Sequence, residues 1–232
     1  GSSFSRDYIA NTLSNYPHIA EMLISYFELI FNPGRKPNKK RQETLQNKIT
    51  EALDQVSNLD DDRIIRRYLD MINATLRTNF YQPAEDGSDK PYVSFKLLPE
   101  LIPEMPLPLP KYEIFVYSPK IEGVHLRGGR VARGGLRWSD RPEDFRTEVL
   151  GLVKTQQTKN VVIVPVGSKG GFVIKQLPSS REEAQAVAKE QYQRFIHGLL
   201  SVTDNRDADG QVRPPKQTIC YDDPDPYLVV AA

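Results

Sequence analysis

Between Gly123 and Phe172 the chain sets cations and glycines among apolar runs, and few packing solutions accommodate that pattern. Three clusters carry it: Arg133-Gly134-Gly135-Leu136-Arg137-Trp138, Lys154-Thr155-Gln156-Gln157-Thr158-Lys159-Asn160 and Gly167-Ser168-Lys169-Gly170-Gly171. Glycine lets a backbone approach a ligand closely. A lysine or arginine beside it supplies the counter-charge for a small anion. The region reads as a pocket for a carboxylate-bearing molecule, and the rest of the chain as its support.

The bulk numbers are compatible with that support. At 232 residues the chain is long enough for a substantial core, in one domain or two. Hydrophobic residues make up 39% and charged residues 26%, as in soluble globular proteins. A formal net charge of +1 removes the global electrostatic case for nucleic acid or an anionic membrane. No apolar run approaches the roughly 20 residues that a membrane span needs, and the first residues lack a signal peptide's apolar segment. One cysteine, Cys220, forbids an internal disulfide and suits a reducing compartment, so a cytoplasmic location is expected.

Apolar residues from Ile9 to Phe31 recur at intervals of three and four, which predicts two helices punctuated by Pro17. The basic run Arg35, Lys36, Lys39, Lys40 and Arg41 reads as a solvated lead-in to a helix over 42–57. Asp60, Asp61 and Asp62 open a further helix whose apolar positions run to Leu76, with acidic residues at the positive end of its dipole. A polar, turn-rich linker at 83–90 then separates this helical segment, 1–82, from an α/β segment, 91–232. Strands are expected at 92–97, 111–117, 124–127, 161–164 and 172–174, and the aliphatic run 161–164 suits burial on both faces. Ser180 and Glu183 form a capping box for a helix through Leu199. The final run from Tyr227 reads as a strand cut off in mid-sequence. The expected fold is a helical layer followed by a mixed-sheet α/β domain.

The helix predicted from about Arg141 to Lys159 carries the most information. With Phe145 at the zero of a helical wheel, Val149, Leu152, Gln156 and Lys159 fall within about 40° of it at ~100° per residue. Lys154 points the opposite way. An amide and an ammonium on a core-facing stripe need partners, because burying them unpaired costs several kcal/mol. A ligand carboxylate would satisfy Gln156 and Lys159 together; a frayed last turn with Lys159 in water is the alternative. Lys169, in its glycine-rich loop, is either a turn lysine or, in a partly dry pocket, an acid–base group. Arg133 is either an anion clamp or part of a surface turn. His18, His125 and His197 lie far apart and no His or Cys pair has ligand spacing, so no metal site is expected.

Several long motifs carry a resemblance: Ser118-Pro119-Lys120-Ile121-Glu122-Gly123-Val124-His125-Leu126-Arg127-Gly128-Gly129, the run Val131 to Arg141, Asp144 to Leu152, and Val164 to Phe172. Together they closely resemble the large NAD-specific glutamate dehydrogenases of bacteria. The resemblance implies an amino-acid-dehydrogenase-like substrate domain from an enzyme that converts L-glutamate and NAD to 2-oxoglutarate, ammonium and NADH, in a homo-oligomeric parent. It places Arg133 where the wider superfamily has a carboxylate-binding lysine before Gly-Gly, with Gly134 and Gly135 beside the substrate. It makes Gln156 and Lys159 the α-carboxylate pair and Lys169 the catalytic lysine. No Gly-x-Gly-x-x-Gly follows a strand, so NAD is expected to bind outside this chain, and the family's catalytic aspartate is expected just beyond Ala232. A dehydrogenase for another amino acid and a non-enzymatic interaction module are the alternatives.

Overall fold

The computed structural model describes residues 4–159 and 166–231. Four helices come first: α1 (Arg6–Asn15), α2 (Pro17–Phe31), α3 (Lys39–Leu53) and α4 (Leu59–Ala74). Pro17 opens α2 at the first turn, where its missing N–H costs no hydrogen bond. Asn58 caps α4, its side-chain oxygen accepting from the amides of Asp60 at 2.9 Å and Asp61 at 3.2 Å. Ile19, Leu23 and Tyr26 of α2, Ile49 and Leu53 of α3, and Ile65 and Leu69 of α4 close one apolar cluster. Each such side chain contributes ~1.5–3 kcal/mol when fully buried. Thr12 fastens α1 to α4 by donating its hydroxyl to the buried Asp61 carboxylate at 2.9 Å.

The helical periodicity of α4 does not continue to Leu76. The chain turns at Ala74 into β1 (Thr75–Thr78), all four residues of which are buried. Two threonines, stiff at χ1, flank this segment, and β1 finds a partner in β2 (Val93–Leu97), with Thr78 opposite Phe95. After a 3-10 turn at Pro99–Leu101 come β3 (Tyr112–Tyr117), β4 (Ile121–Arg127), β5 (Ala132–Trp138), α5 (Phe145–Lys159), β6 (Val166–Ile174) and α6 (Arg181–Leu200). A short hairpin, β7 (Asn205–Arg206) and β8 (Val212–Arg213), precedes β9 (Val229–Ala231). Among the described residues the main sheet has seven strands in the order β1-β2-β3-β4-β6-β5-β9. Its first pairings, through β4 with β6, are antiparallel; β5 runs parallel to both β6 and β9. The expected strand at 161–164 lies outside the described residues.

Helices cover both faces of this sheet. Phe145, Val149, Leu150 and Val153 of α5 pack on Val124, Leu126 and Val173. On the opposite face, Phe195 and Leu199 of α6 pack on Ile114, Val116, Ile121 and Phe172. Ser180 caps α6, accepting from the amide of Glu183 at 3.5 Å. The fold is α/β, with the helical layer preceding a mixed sheet.

Candidate functional site

Both glycine-rich clusters prove to be strand rather than loop. Arg133, Gly134 and Gly135 lie within β5, and Lys169 lies mid-strand in β6. Their glycines are needed for closeness between protein segments. A Cβ on Gly134 would stand 1.6 Å from the Ser168 carbonyl oxygen of the neighbouring strand. One on Gly167 would stand 2.3 Å from the Gln156 amide, which packs on that bare backbone. The sequence signalled a missing side chain correctly, but the occupant of the space is another part of the chain.

Strand alternation then assigns the cations to a face. Gly167 meets Gln156 of α5, so Lys169, two residues along β6, stands on the same side of the sheet. Leu136 packs with the α6 cluster, which turns Arg133 and Arg137 of β5 toward α5. Arg137 is paired there with Glu148 of α5, Nε to Oε1 at 3.0 Å. Arg133 sits opposite Gly167 in the parallel register. The strand positions of Arg133 and Lys169 thus lie on the α5 side of the sheet, opposite Gly167 and two residues along from it, where Gln156 packs. Lys169 is half-buried and Arg133 is exposed. Gln156 keeps a buried Oε1 without a hydrogen-bond partner. Lys154 is exposed, on the outer side of α5. Lys159 ends α5, and its side chain lies outside the described residues. The open cleft lined by Leu107, Pro108, Leu109, Lys154, Gln157 and Thr158 does not include Arg133, Gln156 or Lys169.

The helical wheel finds most, not all, of the α5 contact. Phe145, Val149 and Val153 are buried as expected, but Leu150 joins them while Leu152 is only half-buried. Charged pairs set this tilt: Arg146 makes a two-pronged contact with Glu113 of β3 at 2.8 and 2.6 Å. Ser139, after β5, donates to Glu148 Oε2 at 2.6 Å. These contacts hold α5 against β3 and β5, and therefore set where Gln156 arrives.

The opposite face holds two features to which no sequence motif assigned a role. His125 of β4 is 1% exposed with both ring nitrogens unpartnered, and burial, followed by the charge of Arg127, lowers its pKa to about 3. Beside it lies a buried ion network. Arg77 meets Asp204 and Asp222, each at 2.5 Å, Lys96 meets Asp222 and Asp225, and Arg127 meets Asp225. The Tyr112 ring lies under both Lys96 and Arg127. Burial would raise the Asp225 carboxyl, but hydrogen bonding and charge from Arg127, with Lys96, outweigh it and hold the group below its ordinary value. The cluster Asp222-Asp223-Pro224-Asp225 was the available signal, though its three cations come from strands far back in the chain.

Residues 48–232 match the family model of the bacterial NAD-glutamate dehydrogenase catalytic domain, and residues 1–33 match that of glutamate dehydrogenase helical motif 3. The chain is 58% identical to the NAD-specific glutamate dehydrogenase of Pseudomonas aeruginosa, over 99% of its own length and 14% of that protein's. It is 56% identical to the Halomonas elongata protein of the same name, over 98% of this chain and 14% of that one. Identity to the NAD-specific glutamate dehydrogenase of Mycobacterium tuberculosis is 47%, over 100% of this chain and 15% of the relative. The chain therefore spans a small part of the length of the relatives it matches.

Proposed function

Because this chain belongs to the family of bacterial NAD-glutamate dehydrogenase catalytic domains, we propose that it forms the substrate-binding part of an enzyme that oxidatively deaminates L-glutamate to 2-oxoglutarate and ammonium. The observation that carries this reading is the buried, unpartnered oxygen of Gln156 on Gly167, between the strand positions of Arg133 and Lys169. An orphaned buried acceptor costs ~1–3 kcal/mol, which a donor on the substrate, its α-ammonium, would offset while the Gln156 amide N–H donates to the α-carboxylate. In this reading Arg133 meets one substrate carboxylate, with the backbones of Gly134 and Gly135 alongside. Gln156 and Lys159 hold the α-carboxylate end, and Lys169 moves the proton during attack of water on the iminium. The division into a helical segment 1–82, a linker 83–90 and a substrate-binding segment 91–232 belongs to the same proposal. So do a cytoplasmic, homo-oligomeric parent and the absence of nucleic-acid and membrane partners. Among the described residues no helix is long and apolar enough to cross a membrane. The matches favour neither a dehydrogenase for another amino acid nor an interaction module.

NAD is the oxidant in this proposal, but the glycines here do not fit a dinucleotide. The spaces beside Gly134 and Gly167 are filled by Ser168 and Gln156, so neither offers bare backbone to a pyrophosphate. The cofactor is assigned to residues outside this chain. In the full-length enzyme, Lys169→Ala should lower kcat by about a hundredfold or more, the range for a lost acid–base group. Arg133→Ala should act chiefly on KM for glutamate. A Lys169→Ala enzyme that retains near-normal turnover would remove the lysine from this role.

A further inference from the structure

The buried ion network touches none of the positions assigned to substrate, yet it borders both strands that carry them. Arg127 faces Ser168 in the β4–β6 register, the residue before Lys169. Its guanidinium also donates to Asp225 and, at 2.6 Å, to the carbonyl oxygen of Tyr227. The backbone amide of Asp225 donates to Asp204, and the exposed Arg130 donates to the carbonyl oxygen of Pro224. Two residues after Tyr227 the chain becomes β9, which pairs with β5 at Arg133, Gly134 and Gly135.

The segment that leads into β9 is held by contacts that converge on Asp225. Arg133 is exposed, so the place of its guanidinium depends on the backbone of β5 between β6 and β9. We propose that Asp225 is a positioning residue for glutamate binding: through Arg127 and Lys96 it sets the approach of β9 to β5, and with it the place of Arg133. This inference rests on the assignment of Arg133 to a substrate carboxylate.

The test is kinetic and uses the full-length enzyme. Asp225→Asn keeps the shape and removes the charge. It should raise KM for glutamate by about tenfold, and Asp225→Glu should recover part of the loss. Hydrogen exchange separates positioning from unfolding. In the Asp225→Asn enzyme, peptides covering 132–138 and 226–231 should exchange faster, while those covering α5 and β3 keep their protection. Arg130→Ala, a surface change that loosens the same segment through Pro224, should shift exchange and KM in the same direction by less. An unchanged KM in Asp225→Asn, where Arg133→Ala raises it, would overturn the positioning role, as would exchange that rises throughout the chain. If Arg133→Ala itself leaves KM unchanged, the carboxylate assignment fails and the positioning role falls with it.

Discussion

A single methyl group distinguishes two kinds of glycine in this chain. Gly134→Ala forces a Cβ against the Ser168 carbonyl oxygen, and backbone on both sides leaves little room to yield. The loss of stability should reach or exceed the ~1–3 kcal/mol of ordinary overpacking. Gly151 is exposed on α5, and a methyl group added there would meet nothing within 4 Å, so Gly151→Ala should stabilise by about 0.5–1 kcal/mol. Urea denaturation of the two variants checks both, and a Gly134→Ala protein as stable as the parent would refute the close approach. His125 gives a pH-dependent prediction. Its folded pKa, about 3, lies below the ordinary value of 6.5, so acid protonates the unfolded chain first. Stability should fall as the pH drops through 6.5 toward 3, by about 2 kcal/mol between pH 8 and 5. Removing the imidazole in His125→Gln should flatten that slope, as followed by denaturation at each pH. Glycine and lysine positions were legible at this scale because their chemistry is local. Whether Gly167 admits a ligand or Gln156 was not, because that depends on where α5 lands.

At the scale of elements, α5 is held by a charged pair as much as by its apolar stripe. The side chains of Arg146 and Glu113 are 15% and 6% exposed. Arg146→Ala would strand a buried carboxylate on β3 and should cost about 3–5 kcal/mol, whereas replacing both partners with apolar residues of similar volume should be far milder. A double-mutant cycle on thermal unfolding measures the difference, and additive losses would show that the pair is not coupled. The helix phase was readable from Phe145, Val149 and Val153 because a 3.6-residue period is intrinsic to the chain. The burial of Leu150 in place of Leu152 was not readable, since it follows from the tilt set by Glu113 and Arg137 on other elements. Likewise β1 resembled the end of α4 until its pairing with β2 was visible, and the strand nature of β5 was hidden by its two consecutive glycines.

For the whole molecule, we expect this chain alone to form no NADH from glutamate and NAD. Hydride transfer requires a nicotinamide held within reach of the α-carbon, and the glycine-rich strands here are already packed by protein. Spectrophotometry at saturating substrates is the check, and turnover abolished by Lys169→Ala would place the whole chemistry within these residues. The sheet order has a further consequence, in time rather than space. On a ribosome, β1 to β4 can pair soon after they emerge, since each joins its predecessor in sequence. The outer side of β5 must wait with its amides and carbonyls unmatched until residues 229–231 have been made. Such an open edge invites pairing with other chains, and late-closing long-range contacts are slow to form. Nascent protein should therefore be most in need of a chaperone during the interval between synthesis of Arg133 and synthesis of the strand that covers it.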